Sequence, residues 1–195
     1  MKKPGDFIRE EVRNTPPSGI RKYFDMLHGM SDVISLGVGE PDFVTPWQIR
    51  ESAIYSLEKG RTHYTSNTGI LELRQAICSM LEKKYNLNYN PVNQIIITVG
   101  ASEAIDIAIR SIAGPGDEVI IPEPCFVAYK GCVNFAGAKA VPLQLKEDNC
   151  FKLTVDQLKA CVTEKTKVLI LAYPNNPTGA VMTEEELKPI AEYLA

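Results

Sequence analysis

Val168-Leu169-Ile170-Leu171 runs straight into Ala172-Tyr173-Pro174-Asn175-Asn176-Pro177-Thr178-Gly179, an apolar strand that halts on two prolines and a glycine. Each proline locks its own φ, pushes the preceding residue out of the helical region and removes a ladder donor. Asn176 is therefore expected in an extended conformation at the strand's carboxyl end, where open α/β sheets bind their ligands. Taken alone, the same residues also suit a proline-stiffened strand exit with no ligand.

Upstream of this exit, strand-like and helix-like runs alternate. Ile95-Ile96-Ile97-Thr98-Val99 is β-branched, residues 101–113 carry a helical apolar stripe, and Glu118-Val119-Ile120-Ile121 reads as a strand. Residues 126–135 then read as a helix, Ala140-Val141-Pro142-Leu143 as a weak strand, residues 154–161 as a helix and residues 167–172 as a strong strand. Strands separated by helices of this length need crossover connections, so the expected fold is α/β, a mostly parallel sheet flanked by helices. Nearer the N-terminus, Ile20, Phe24 and Leu27 recur at helical spacing in an arm interrupted by Pro16-Pro17-Ser18-Gly19, and residues 33–43 form a short apolar strand broken by glycines and a proline. Residues 47–60 and 70–85 follow as two helices. At the far end, Thr183 with Glu186 three residues on is a capping box that opens another helix. The expected organisation is an arm and substrate-side loop over residues 1–45, then a partial large domain over residues 46–195.

Composition narrows the chemistry. The 195 residues are 45% apolar with a net charge of −3, and Lys and Glu are interleaved, so there is no basic stripe for nucleic acid or an anionic membrane surface. No apolar run approaches the length of a membrane span, and Met1-Lys2-Lys3-Pro4-Gly5-Asp6 opens without the apolar core of a secretory signal. The five cysteines show no C-x-x-C pair, and His28 and His63 are the only histidines, so a zinc site or a Ser-His-Asp triad has few candidate members. A reducing cytoplasm is the expected compartment.

Two further strand exits carry chemistry. Thr98-Val99-Gly100-Ala101-Ser102-Glu103 passes from strand to helix through small residues, and the first N–H groups of that helix lack intrahelical acceptors. Such a turn can cradle an anion, although Ser102 suits a plain helix cap equally well. Pro122-Glu123-Pro124-Cys125-Phe126-Val127-Ala128-Tyr129 ends the next strand, and Phe126 could lie flat against a planar ligand or pack into the core. Together with Asn176, these exits offer a phosphate cradle, an aromatic plate and an in-plane amide donor, a set suited to a small phosphorylated aromatic ring.

These residues, with Ser35-Leu36-Gly37-Val38-Gly39-Glu40-Pro41-Asp42-Phe43, Tyr64-Thr65-Ser66-Asn67-Thr68-Gly69 and Pro115-Gly116-Asp117-Glu118-Val119, resemble the N-terminal half of the class I/II aminotransferases, fold-type-I enzymes that use pyridoxal 5′-phosphate. The resemblance runs from about Ser18 to the last residue. It implies that Gly100, Ala101 and Ser102 bind the cofactor phosphate, that Phe126 stacks on the pyridine ring, and that Asn176 donates to the ring's phenolic oxygen and helps seat the substrate carboxylate. It further implies that the Gly39 backbone lines the carboxylate pocket and that Tyr64 reaches the phosphate of the neighbouring subunit in a homodimer. The arm would join the small domain, and the substrates would be an amino acid and a 2-oxo acid. The family's cofactor-binding lysine, its ring-nitrogen aspartate and its substrate-carboxylate arginine have no matching context in these residues, so the expectation is a front portion of a longer polypeptide that does not transaminate alone. A carbon–sulfur β-lyase of the same fold and a noncatalytic cofactor-binding or dimerising fragment are the alternative readings.

Overall fold

Val119, Ile120 and Ile121 are 0% exposed because β1 (Glu118–Glu123) lies between β2 (Lys139–Gln144) and β3 (Thr166–Leu169). All three run parallel, in the order β2-β1-β3. The computed structural model describes residues 4–16, 19, 26, 30, 32–34 and 39–195, and among them these three strands are the whole sheet. The helices are α1 (Glu10–Arg13), α2 (Trp47–Glu58), α3 (Leu71–Tyr85), α4 (Ala101–Ile112), α5 (Ala128–Phe135), α6 (Val155–Cys161) and α7 (Glu184–Leu194). Two compact units emerge: one joins the described residues before Pro17 to residues 99–195, and the other ends at Thr98.

In the sheet unit, alternation along β1 sends side chains to opposite faces. Val119 and Ile121 pack with Ile109 and Ala113 at the end of α4 and with Val133 of α5. Ile120 faces the other way, onto Leu158 of α6 and Ile190 of α7. Both faces are thus covered by helices, as a parallel sheet requires. Helix α1 rests against α5. The expected capping box forms, with Thr183 accepting from Glu186 N–H and Glu186 accepting from Thr183 N–H, while Lys152 donates to the other carboxylate oxygen of Glu186 at 2.6 Å.

At the amino edge of the sheet, Glu118 is 7% exposed and ties the strands together. Its carboxylate accepts from Lys139 Nζ on β2 at 2.8 Å and from Thr163 Oγ1, just ahead of β3, at 2.7 Å. The Lys139 ammonium, and after it the Thr163 hydroxyl, hold this carboxyl below the usual glutamate range. A carboxyl with a lowered folded-state pKa contributes stability that is complete above its unfolded value and is lost as pH falls through the lowered one. Urea midpoints followed from about pH 7 down to about pH 3 should therefore fall more steeply for the wild type than for Glu118→Gln. Parallel curves would remove Glu118 from the acid response.

The structure corrects two strand expectations. Residues 95–99 form no strand; the Ile97 N–H donates instead to the Thr68 carbonyl at 3.0 Å. β-branched residues suit a pleated surface but do not create one without a partner edge. β3 is also shorter than expected and ends at Leu169, although the Ile170 N–H still donates to the Ile120 carbonyl at 3.0 Å. Its pairing slips between Glu118 and Val119, where Lys167 is the extra residue of a bulge.

The second unit contains α2 and α3. Arg74 is its only buried residue among those described, and its guanidinium donates to the carbonyls of Gly69, Pro91 and Val92. Trp47, Ile49, Ile54 and Leu57 of α2 are exposed. The helical spacing at Ile20, Phe24 and Leu27, and residues 35–38 of the glycine-broken strand, lie outside the described residues. Among the described residues, no helix is long and apolar enough to cross a membrane.

Candidate functional site

The turn from α4 into β1 fixes where α4 begins. α4 has 12 residues and β1 has 6, so they are about 18 Å and 20 Å long respectively. The two are joined by the short link 113–117 and pack on each other through Ile105, Ile109, Val119 and Ile121. α4 therefore runs back along β1, and its first turn lies level with the carboxyl end of the sheet.

Gly100 is the residue ahead of α4, at φ +85° and ψ 173°, and no side chain caps the helix. The Ala104 N–H reaches the Gly100 carbonyl at 3.4 Å, and the three N–H groups before it have no acceptor one turn back. Glu103 turns its carboxylate back to accept from the Val99 N–H. Ser102 is the second helical residue, exposed, with its hydroxyl free of hydrogen bonds among the described residues, so the plain-cap alternative for Ser102 does not hold. Its carbonyl receives the Cys132 thiol at 4.0 Å, which links the first turn of α4 to α5.

Phe126 lies on the loop between β1 and α5, and its carbonyl accepts from the Tyr129 N–H. The two rings meet edge to face, 5.8 Å apart at 84°. Tyr129 and Cys125 pack against the core between α4, α5 and the sheet, whereas Phe126 belongs to neither core cluster. The core-packing role thus falls to Tyr129, which braces the edge of a half-buried Phe126. Burial pushes the Cys125 and Cys132 thiols up, with nearby Glu123 and Asp106 adding to it, which disfavours the thiolate at both.

The third exit differs from the expectation. Asn176 does not stand at the strand end but opens the turn 176–178, well past β3, and its exposed side chain has no partner among the described residues. The buried amide is Asn175, 9% exposed. Its Nδ2 donates to the Pro124 carbonyl at 3.0 Å and to Thr178 Oγ1 at 2.9 Å. Its backbone closes the loop, N–H to Ala180 O at 2.9 Å and O from Gly179 N–H at 2.8 Å. On the other side of Pro174, the Tyr173 hydroxyl accepts from the Leu153 N–H at 3.1 Å. Sequence reasoning passed over Asn175 and Glu103; the signals were an asparagine three residues before a threonine and a glutamate at the third helical position.

Gly100, Ala101, Ser102, Phe126 and Asn176 all belong to the sheet unit, the first three at the start of α4 and the other two on loops. Tyr64 and Gly39 belong to the other unit, and both are exposed. No group of acidic, cysteine or histidine side chains among the described residues is arranged to hold a metal ion.

The family model for aminotransferase class I and II matches residues 31–195. An aspartate aminotransferase of Pyrococcus abyssi is 48% identical over 91% of this chain and 46% of its own length. An aromatic-amino-acid aminotransferase of Thermococcus litoralis is 47% identical over 95% of this chain and 48% of its own. The crystal structure of an aromatic aminotransferase from Pyrococcus horikoshii superposes with a TM-score of 0.81 at 46% identity, covering 88% of this chain and 46% of that one. The chain spans about half the length of the curated relatives it matches. A family match across most of the sequence, joined to this identity and a shared parallel sheet flanked by helices, makes the chain a member of the class I and II aminotransferases.

Proposed function

We propose that the full-length protein is a pyridoxal-5′-phosphate-dependent aminotransferase that moves an amino group between an amino acid and a 2-oxo acid. The observation that carries this reading is what the sheet margin leaves unused: N–H donors of the first turn of α4, the Ser102 hydroxyl, a Phe126 ring outside both cores and an unengaged Asn176 amide. Those groups fit the cofactor's phosphate, ring face and phenolic oxygen.

Gly100, Ala101 and Ser102 hold the phosphate, each charge-assisted hydrogen bond contributing about 1.5–3 kcal/mol with the helix dipole adding to it. Phe126 stacks on the ring, about 0.5–1.5 kcal/mol beyond the area it covers. Asn176 donates to the phenolic oxygen, keeping it ionised, and helps seat the substrate carboxylate. The bound cofactor supplies an electron sink for the charge left at the substrate's Cα when its proton departs. Tyr64 reaches the phosphate of a neighbouring subunit, so a homodimer belongs to the same proposal. So does a cytoplasmic location, which suits five unpaired cysteines. The names of the relatives favour amino-group transfer over the β-lyase reading.

Initial rates of the full-length protein, measured with pyridoxal phosphate and varied amino acid and 2-oxo acid, should give the parallel double-reciprocal lines of ping-pong kinetics. The amino acid alone should release one equivalent of its 2-oxo acid and then stop. Continuous release of ammonia with no acceptor present would replace transfer by β-elimination.

A further inference from the structure

We infer that Asn175 is a positioning residue that locks the Phe126 loop and the Asn176 loop into one body, so that the ring plate and the amide donor are set together. This rests on the proposed cofactor reading and deepens it. The geometry is specific. One buried amide group spends both of its N–H bonds, one on the Pro124 carbonyl two residues before Phe126 and one on Thr178 Oγ1 two residues after Asn176. Thr178 Oγ1 in turn accepts from the Ala180 N–H at 3.2 Å. Among the described residues no other side-chain hydrogen bond joins the two loops; the next anchor, Tyr173, holds to Leu153 on a different segment.

A side-chain amide in this place can do what a backbone ladder does elsewhere. β3 has ended at Leu169, so beyond Ile170 the main chain no longer pairs with β1, and the distance between the two loops is set by side chains alone. Asn175 replaces the lost ladder with a pair of donors. An aspartate of the same shape would offer only acceptors to the Pro124 carbonyl, which makes Asn175→Asp as damaging as truncation despite its unchanged volume.

The test uses full-length protein in the forms Asn175→Ala, Asn175→Asp, Thr178→Val and Thr178→Ser, alone and, for Asn175→Ala, combined with Phe126→Leu. Three quantities are read: the dissociation constant for pyridoxal phosphate, the pH midpoint of the bound chromophore's absorbance, and the melting temperature of the cofactor-free protein. Asn175→Ala and Asn175→Asp should each weaken cofactor binding about tenfold and Thr178→Val about threefold. All three should move the absorbance midpoint, and Thr178→Ser, which keeps the hydroxyl, should match the wild type in both. Phe126→Leu should cost less affinity in the Asn175→Ala background than alone, because the plate is then already misplaced. Should Asn175→Ala not fold, Thr178→Val against Thr178→Ser decides alone.

Unchanged affinity and midpoint in the Asn175 variants, or effects of Asn175→Ala and Phe126→Leu that simply multiply, would overturn the inference. So would a lowered apoprotein melting temperature as the sole change. Wild-type protein that takes up no pyridoxal phosphate would overturn the proposed function itself, an outcome distinct from wild-type binding with indifferent variants.

Discussion

Alanine at position 100 should weaken pyridoxal phosphate binding by the full-length protein at least about tenfold, because Gly100 stands at φ +85° and ψ 173°, a region essentially closed to residues with a Cβ at a cost of order 1–3 kcal/mol. Space is not the obstacle: an added Cβ would meet nothing within 4 Å. The backbone must therefore rotate where the chain enters α4, and this re-aims the N–H groups of Ala101 and Ser102 that the proposal assigns to the phosphate. Titration with pyridoxal, which lacks the phosphate, separates this cause from general damage. The loss should appear with pyridoxal phosphate and vanish with pyridoxal. Equal losses with both ligands would mean that the first turn of α4 is not the phosphate cradle.

Gly69→Ala should strongly destabilise the unit that contains α2 and α3. Here both backbone and space resist: φ is +90°, and a Cβ would fall 2.4 Å from Ile97 Cγ1 and 2.6 Å from Ile97 Cβ. Ile97 cannot swing away cheaply, since its N–H is bound to the Thr68 carbonyl next door. Left-handed strain and overpacking each cost about 1–3 kcal/mol, so a loss of about 2–6 kcal/mol is expected in urea unfolding. Shortening Ile97 to alanine removes the clash at Cγ1 but leaves the one at Cβ, so it relieves only part of the steric cost. The double variant Gly69→Ala with Ile97→Ala should thus recover some of the stability lost by Gly69→Ala beyond what Ile97→Ala alone predicts. Strict additivity of the two would show that the Ile97 side chain beyond Cβ is no part of the wall behind Gly69.

Parts of this architecture were plain in the amino-acid sequence for identifiable reasons. The central strand was legible because Val119, Ile120 and Ile121 are apolar without interruption, the mark of a strand covered on both faces. The start of α7 was legible because Thr183 and Glu186 sit at the spacing of a reciprocal cap. Ile95–Val99 misled because β-branched content reports suitability for a sheet, whereas a strand also needs an edge to pair with, and the Ile97 N–H found the Thr68 carbonyl instead. At the third exit the residue types were readable but their division of labour was not. Asn175 and Asn176 are chemically identical neighbours, and only the fold shows that one amide is consumed by Pro124 and Thr178 while the other stays exposed. Phe126 and Tyr129 posed the same problem, resolved by which ring joins the core.

These distinctions converge on one claim, that a phosphorylated ring is held between α4, the Phe126 loop and the Asn176 loop. A crystal structure of the full-length protein grown with pyridoxal 5′-phosphate tests it most directly. The account requires phosphate oxygens at hydrogen-bond distance, about 2.7–3.2 Å, from the Ser102 hydroxyl and the first N–H groups of α4, the ring face on Phe126 and the phenolic oxygen on the Asn176 amide. A cofactor seated away from these three groups would contradict it.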